Sequence, residues 1–298
     1  MTCEPTLPLG PDGRGASAPR APRVAVVTGA TQGLGLALAE GLSRRLDPRD
    51  LVYLTGRDRD RVRTAAEGLA ELRAEVRGSV LDVCDGTAVH ALAEEIHAEH
   101  GGVDIVFSNA AARLVPATPP AELVGPFVDT NNLGTTRILR AFDPILRSGG
   151  RLLVVASEFG SLRQLPPHLH GSFDTASMTL EDVDMVMLAW RDAVVEGRAA
   201  ADGWPDWINI PSKVGQVAAV RVLSRERRAA DAQGETLVAA VCPGLIDTAA
   251  SRPWFDDMSG AQSPAQAAVA PLRLALDPVV DPRLYGELVQ FDRVIPWR

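Results

Sequence analysis

The chain nearly does without lysine. Lys213 is the only one in 298 residues, although arginine occurs in every region. A background that uses arginine wherever a plain positive charge suffices keeps lysine where arginine cannot stand in for it. An ammonium is compact, offers rotating donors and shifts its pKa when buried, whereas a guanidinium stays planar and charged. Other scarcities exclude whole classes of function. Three cysteines, Cys3, Cys84 and Cys242, show no pair at metal or redox spacing, which gives no metal site and fits a reducing cytoplasm. No apolar run is long enough to cross a membrane. The net charge is -8 and the arginines are scattered among acids, which argues against a nucleic-acid or anionic-membrane partner. Tyrosine occurs only twice, at Tyr53 and Tyr285.

What is present is ordinary for a globular protein: 46% hydrophobic and 23% charged residues. The first residues, 1–22, are rich in Pro, Gly and Ala without an apolar segment, and read as a disordered tail rather than a signal peptide. From Arg23 onward, short β-branched runs alternate with helical stretches. Strands are expected at Val24 to Thr28, Leu51 to Thr55, Glu75 to Leu81, Val103 to Phe107, Arg151 to Ala156, Thr236 to Val241 and Leu288 to Phe291. Nearly continuous apolar strands separated by helices predict a parallel sheet covered on both faces, a doubly wound Rossmann-type α/β fold over 23–298. One segment, about 158–204, breaks the rhythm. It holds His168, His170 and a helix expected from Thr179 to Glu196, and reads as a helical insertion: a lid, a pocket wall or a surface that blocks oligomerisation.

Between the first strand and the first helix, the chain reads Thr28-Gly29-Ala30-Thr31-Gln32-Gly33-Leu34-Gly35. Glycines there let the backbone turn tightly and approach a pyrophosphate seated on the helix N-terminus. An acid at the end of the second strand would bind a ribose 2′-hydroxyl. This chain has Arg57 instead, with Arg59 and Arg61 close by, which suits a 2′-phosphate and favours NADP(H) over NAD(H).

These pieces together resemble a short-chain dehydrogenase/reductase, and more narrowly the monomeric carbonyl reductases. Leu81-Asp82-Val83 matches the family's adenine-contacting turn, and Asn109-Ala110-Ala111 its Asn-Ala-Gly segment. Thr130 to Thr135 matches the segment whose first asparagine supports the catalytic lysine through water, a role that falls to Asn131. Ser157 stands at the place of the catalytic serine. Cys242 to Thr248 matches the Pro-Gly loop of the nicotinamide carboxamide, so Pro243, Gly244, Ile246 and Thr248 are implied as cofactor contacts beside Gly29, Gln32, Gly33, Leu34, Gly35 and Lys213. Gly203-Trp204-Pro205 and the tail from Gly286 to Trp297 also resemble carbonyl reductases, in which the insertion tends to keep the enzyme monomeric.

The pattern fails at one place. The family's tetrad is Asn, Ser, Tyr and Lys, and four residues before Lys213, on the same helical face, stands Asn209. Asparagine donates a hydrogen bond but cannot give up a proton. Loss of a general acid costs roughly 10²–10⁴ in rate when an alkoxide must form. A quinone needs less help, because hydride addition gives an aromatic hydroquinone anion that Ser157 and Asn209 could hold as an oxyanion. The expectation is therefore an NADPH-dependent reductase of quinones or conjugated aromatic polyketones. The arginine bias resembles high-GC bacteria, where such homologues occur in aromatic polyketide antibiotic pathways, and a partner hydroxylase is conceivable. Two alternatives stay open: an ordinary carbonyl reductase whose proton is relayed by Glu158, His168, His170 or water, and a non-catalytic NADP(H)-binding protein. Trp204, Trp207 and Trp254 are expected to flank the pocket.

Overall fold

The computed structural model describes residues 20–231 and 235–298. The expected tail lies outside the described residues except for its last three, where Arg20 pairs with the buried Asp50 at 2.8 Å. The elements run β1 Val24–Val27, α1 Gly33–Arg45, β2 Leu51–Gly56, α2 Arg59–Glu67, β3 Glu75–Val80, α3 Gly86–His100, β4 Val103–Ser108, α4 Pro120–Val128, α5 Gly134–Phe142, β5 Leu146–Val155, α6 Leu180–Val195, α7 Asn209–Asp231, β6 Leu237–Val241, α8 Pro264–Ala267, α9 Val269–Leu276, β7 Leu288–Gln290 and β8 Arg293–Ile295. The strands form one sheet in the order β3-β2-β1-β4-β5-β6-β7-β8. All neighbours pair in parallel except β7 and β8.

Each face of the sheet has its own core. Val24, Val26, Leu152, Val154 and Val238 point to the α3, α5 and α7 side, whereas Ala25, Val27, Leu153 and Ala239 point to the α1 and α9 side. Successive strand residues thus serve opposite cores, and a strand buried on both faces must be apolar throughout. The strand order reverses between β1 and β4. That switch point leaves a crevice beyond the carboxyl ends of the strands.

Two differences from the sequence reading have physical causes. An eighth strand, β8, was not expected. It returns antiparallel through Phe291 and Asp292, which both take positive φ (46° and 65°), a tight-turn geometry that usually advertises itself with Asn or Gly. The insertion begins with short 3-10 turns and continues as α6, capped at Thr179 by a box with Asp182. Its apolar side, with Leu180, Val183, Met187 and Trp190, is buried in the core of that face rather than over the crevice. No described helix is long and apolar enough to cross a membrane.

Candidate active site

The glycine turn is built from the ends of β1 and β4. Thr28 Oγ1 accepts from the backbone N–H groups of Asn109 (2.9 Å) and Ala110 (3.0 Å), and Asn109 Nδ2 donates back to Thr28 O at 2.8 Å. This clamp brings the chain at Gly35 so close that a Cβ there would lie 2.5 Å from Asn109 Nδ2. Gly29 sits at φ +62°, where a Cβ would be 2.8 Å from Ala110 Cα. Glycine is required at both positions. The N-cap of α1, Gln32, makes no side-chain cap, so the first N–H groups of this thirteen-residue helix are left for a ligand.

A cleft of about 760 Å³ opens here. Of the expected cofactor contacts, Gly29, Gln32, Gly33, Leu34, Gly35, Asn109, Lys213, Pro243, Gly244, Ile246 and Thr248 line it. Thr28 and Ala110 stand behind the wall as part of the clamp. Arg57, Arg61, Asp82 and Val83 lie outside the main cleft, at the carboxyl ends of β2 and β3. Arg61 reaches over the turn to donate to Gln32 Oε1 at 2.5 Å, and Arg57 is exposed. Asp82 Oδ1 accepts from Cys84 N, shaping the turn, while Val83 packs against Gly134. An uncapped helix end, a glycine cradle and two arginines, Arg57 after β2 and Arg61 in the first turn of α2, suit the phosphates of a dinucleotide.

At the other end, all four expected catalytic residues, Asn131, Ser157, Asn209 and Lys213, line the same cleft. Asn131 sits in a π-turn, Asp129–Leu133, between α4 and α5. Such bulges recur at functional sites because they free a backbone group. Here the Asn131 carbonyl accepts from Thr135 Oγ1 at 2.7 Å, and its side-chain Oδ1 accepts from Ala112 N at 2.8 Å. Ser157 follows β5 in extended conformation, with Oγ accepting from Phe159 N at 3.4 Å. Asn209 opens α7, a helix whose third residue is Pro211, a position where a missing N–H costs nothing.

Lys213 Nζ donates to Gln216 Oε1 at 2.8 Å and to Val155 O at 3.3 Å. Burial draws its ammonium down to about 8, while the nearby Cys242 acts in the opposite direction. Burial pushes the Cys242 thiol up, against the backbone N–H groups of Gly244 and Glu158. Side chains also link Lys213 to Asn131: Gln216 Nε2 donates to Thr135 Oγ1 at 3.0 Å, and Thr135 Oγ1 donates to Asn131 O.

Several expectations need correction. Trp207 and Trp254 do line the cleft, 6.1 Å apart, but Trp204 packs against Phe173 and Trp190 in the core instead. Neither His168 nor His170 lines the cleft. They bond to the carbonyls of Asp202 and Leu165, which removes them as relays and leaves Glu158 and water. His100 is mostly covered and bonds the Tyr53 hydroxyl at 3.1 Å, so the Tyr53 side chain turns toward α3. Tyr285 donates to Asp231 at the far end of α7. Neither tyrosine is in the cleft. Phe159 and Gln216 were missed. Phe159 stacks edge-on against Trp207 at 4.9 Å, and Gln216 lies on the Lys213 face of the helix at i+3, a spacing that could have flagged it.

Comparison with known proteins agrees with this geometry. Residues 23–166 match the family model of the short chain dehydrogenases. Carbonyl reductase 1 (NADPH) of Sus scrofa is 30% identical over 285 residues, covering 92% of this chain and 94% of that one. The chain therefore belongs to the short-chain dehydrogenase/reductase family, as an oxidoreductase related to the carbonyl reductases. The Rattus norvegicus carbonyl reductase 1 (NADPH) is 29% identical over 92% of this chain and 98% of its own length. Among solved structures, salutaridine reductase of Papaver somniferum superposes with a TM-score of 0.75 at 24% identity, over 89% of this chain and 99% of that one, a likeness of fold.

Proposed function

We propose that the protein is an NADPH-dependent reductase of quinones or conjugated aromatic carbonyls that works without a phenolic acid. The observation that carries this reading is Asn209 in the cleft beside Lys213, with both tyrosines elsewhere in the fold. NADP(H) is supported by Arg57 and Arg61 at the end of β2 and by relatives whose names specify NADPH. When bound, it supplies hydride. The protein's part is to seat the glycine turn against the phosphates, with Lys213 and the Pro243-Gly244 loop at the opposite end.

Around the substrate carbonyl, Ser157 Oγ and Asn209 Nδ2 donate hydrogen bonds to the developing oxyanion, and Lys213 adds a positive field. A hydroquinone anion is a weak base, so these donors suffice without immediate proton transfer. An alkoxide is a strong base, and with asparagine in place of an acid its formation loses roughly 10²–10⁴ in rate. Phe159, Trp207 and Trp254 give the cleft an aromatic wall for a flat substrate. The insertion helix packed over the α4 and α7 face supports a monomer. The setting is cytoplasmic, and the dihydroquinone product, reactive toward oxygen, suits a partner hydroxylase in an aromatic polyketide pathway.

The test is anaerobic NADPH oxidation by the purified protein across quinones and simple aryl ketones. Quinone turnover with ketones at least about a hundredfold slower is expected. Comparable rates on ketones would mean a proton donor in the cleft, with Glu158 next to Ser157 the residue to replace first.

A further inference from the structure

Lys213 carries three N–H donors, and the described residues take two of them. Val155 O, two residues before Ser157, accepts one at 3.3 Å, and Gln216 Oε1 accepts another at 2.8 Å. The third has no acceptor among the described residues, and Lys213 lines the cleft. Gln216 is itself immobilised: it is 2% exposed, and its Nε2 donates to Thr135 Oγ1 at 3.0 Å. Thr135 in turn donates to the Asn131 carbonyl at 2.7 Å, and Asn131 is held by Ala112 N at 2.8 Å.

The direction of this chain is forced by chemistry. An ammonium can only donate, so Gln216 must present its oxygen to Lys213 and its NH₂ to Thr135. The threonine hydroxyl then accepts once and donates once. No member can turn round without leaving a buried donor facing a donor. Gln216 therefore does more than fill space between α7 and α5.

We propose that Gln216 is a positioning residue: it anchors the Lys213 ammonium between α7 and the end of β5, so that the remaining N–H is directed into the cleft where cofactor and substrate carbonyl would meet. The proposal rests on the reading that this cleft holds that carbonyl. A carbonyl acceptor stabilises a charged donor against burial, because a charge-assisted hydrogen bond is about twice as strong as a neutral one. An amide cannot hand on a proton, so the Gln216 contact fixes the position of the ammonium and does not relay its proton. Titratable neighbours are few: the Cys242 thiol after β6 faces the ammonium, and Glu158 after β5 faces Cys242. From the π-turn and α5 come the backbone carbonyl of Asn131, the hydroxyl of Thr135 and the amide of Asn132, which donates to Ser212 O, and these groups carry no charge.

The lone lysine makes a direct test practical. In full-length protein carrying ¹³Cε-labelled lysine, Lys213 is the sole lysine signal, and its shift against pH reads the ammonium's own titration. Gln216→Leu should lower that titration by about one pH unit, through loss of an acceptor for the charged form. Gln216→Glu, nearly the same shape, should raise it by about two units by placing a carboxylate against the ammonium. The alkaline limb of kcat/KM should move with each. Titrations that coincide in the natural protein and both variants would overturn the proposal. If circular dichroism shows Gln216→Leu unfolded, Gln216→Glu decides alone: a raised titration supports the anchor and an unchanged one overturns it. The titration needs no substrate, so it stands or falls separately from quinone turnover.

Discussion

The two ends of the cleft obey different rules. At the glycine turn, every unusual residue is demanded by backbone geometry: Gly35 and Gly29 have no room for a Cβ, and Thr28 and Asn109 spend their polar atoms tying β1 to β4. At the Lys213 end, the polar atoms are spent on the functional groups instead. Gln216, Thr135 and Asn131 form a line behind the ammonium, and Asn209, a side chain that cannot give up a proton, lines the cleft one turn before Lys213. The first end tells what can bind. The second bears on the chemistry, because its polar side chains surround the place where a carbonyl would react.

The largest effect should come from Asn209→Tyr, which erases the departure at the chemical end. Turnover of simple aryl ketones should rise by about 10²–10⁴, while quinone turnover changes far less. Steady-state kinetics on both substrate types checks it. Equal gains on both would mean that the phenol acts by filling space, and the contrast drawn between alkoxide and hydroquinone anion would fail.

A smaller effect probes the binding end. Arg57→Ala removes the exposed guanidinium after β2 that we propose meets a 2′-phosphate, and a hydrogen bond to a charged group contributes about 1.5–3 kcal/mol. NADPH should bind about 10- to 150-fold more weakly, with NADH binding little changed. Fluorescence titration with both nucleotides distinguishes this from general damage to the turn, which would weaken both alike.

Much of this was legible in the sequence, for reasons that differ along the chain. Alternating apolar strands and helices announced the doubly wound sheet because both faces of each strand are buried. The glycine turn was legible because backbone crowding admits only one residue type. The β7–β8 turn was hidden because Phe291 takes a positive φ that a bulky side chain rarely adopts, with no glycine or asparagine to mark the turn. Trp204 misled because a tryptophan near a pocket serves the core equally well, and only packing against Trp190 and Phe173 decides it. Gln216 stayed unseen because a glutamine on a helix is unremarkable until its partners across α5 and the π-turn are known.

The smallest effect concerns Lys213 and links the chemical end to stability. Burial is the main influence on its ammonium in the folded protein and draws the pKa down from an ordinary 10.5 to about 8. At pH 7 the group is charged in both states, and the folded state bears the cost of burying it. Between about 8 and 10.5 the unfolded chain holds the proton and the folded one has lost it, so stability rises with pH across that window. Beyond it the cost is gone. Relative to Lys213→Met, in which other titrations cancel, the natural protein should gain about 2–3 kcal/mol between pH 7 and 10.5. Urea unfolding of both proteins at pH 7, 8.5 and 10 measures this (about 1.4 kcal/mol per pH unit at the steepest). A difference that stays flat with pH would place the ammonium in a well-solvated setting, and a lysine that keeps its ordinary affinity for a proton would need no anchor such as Gln216.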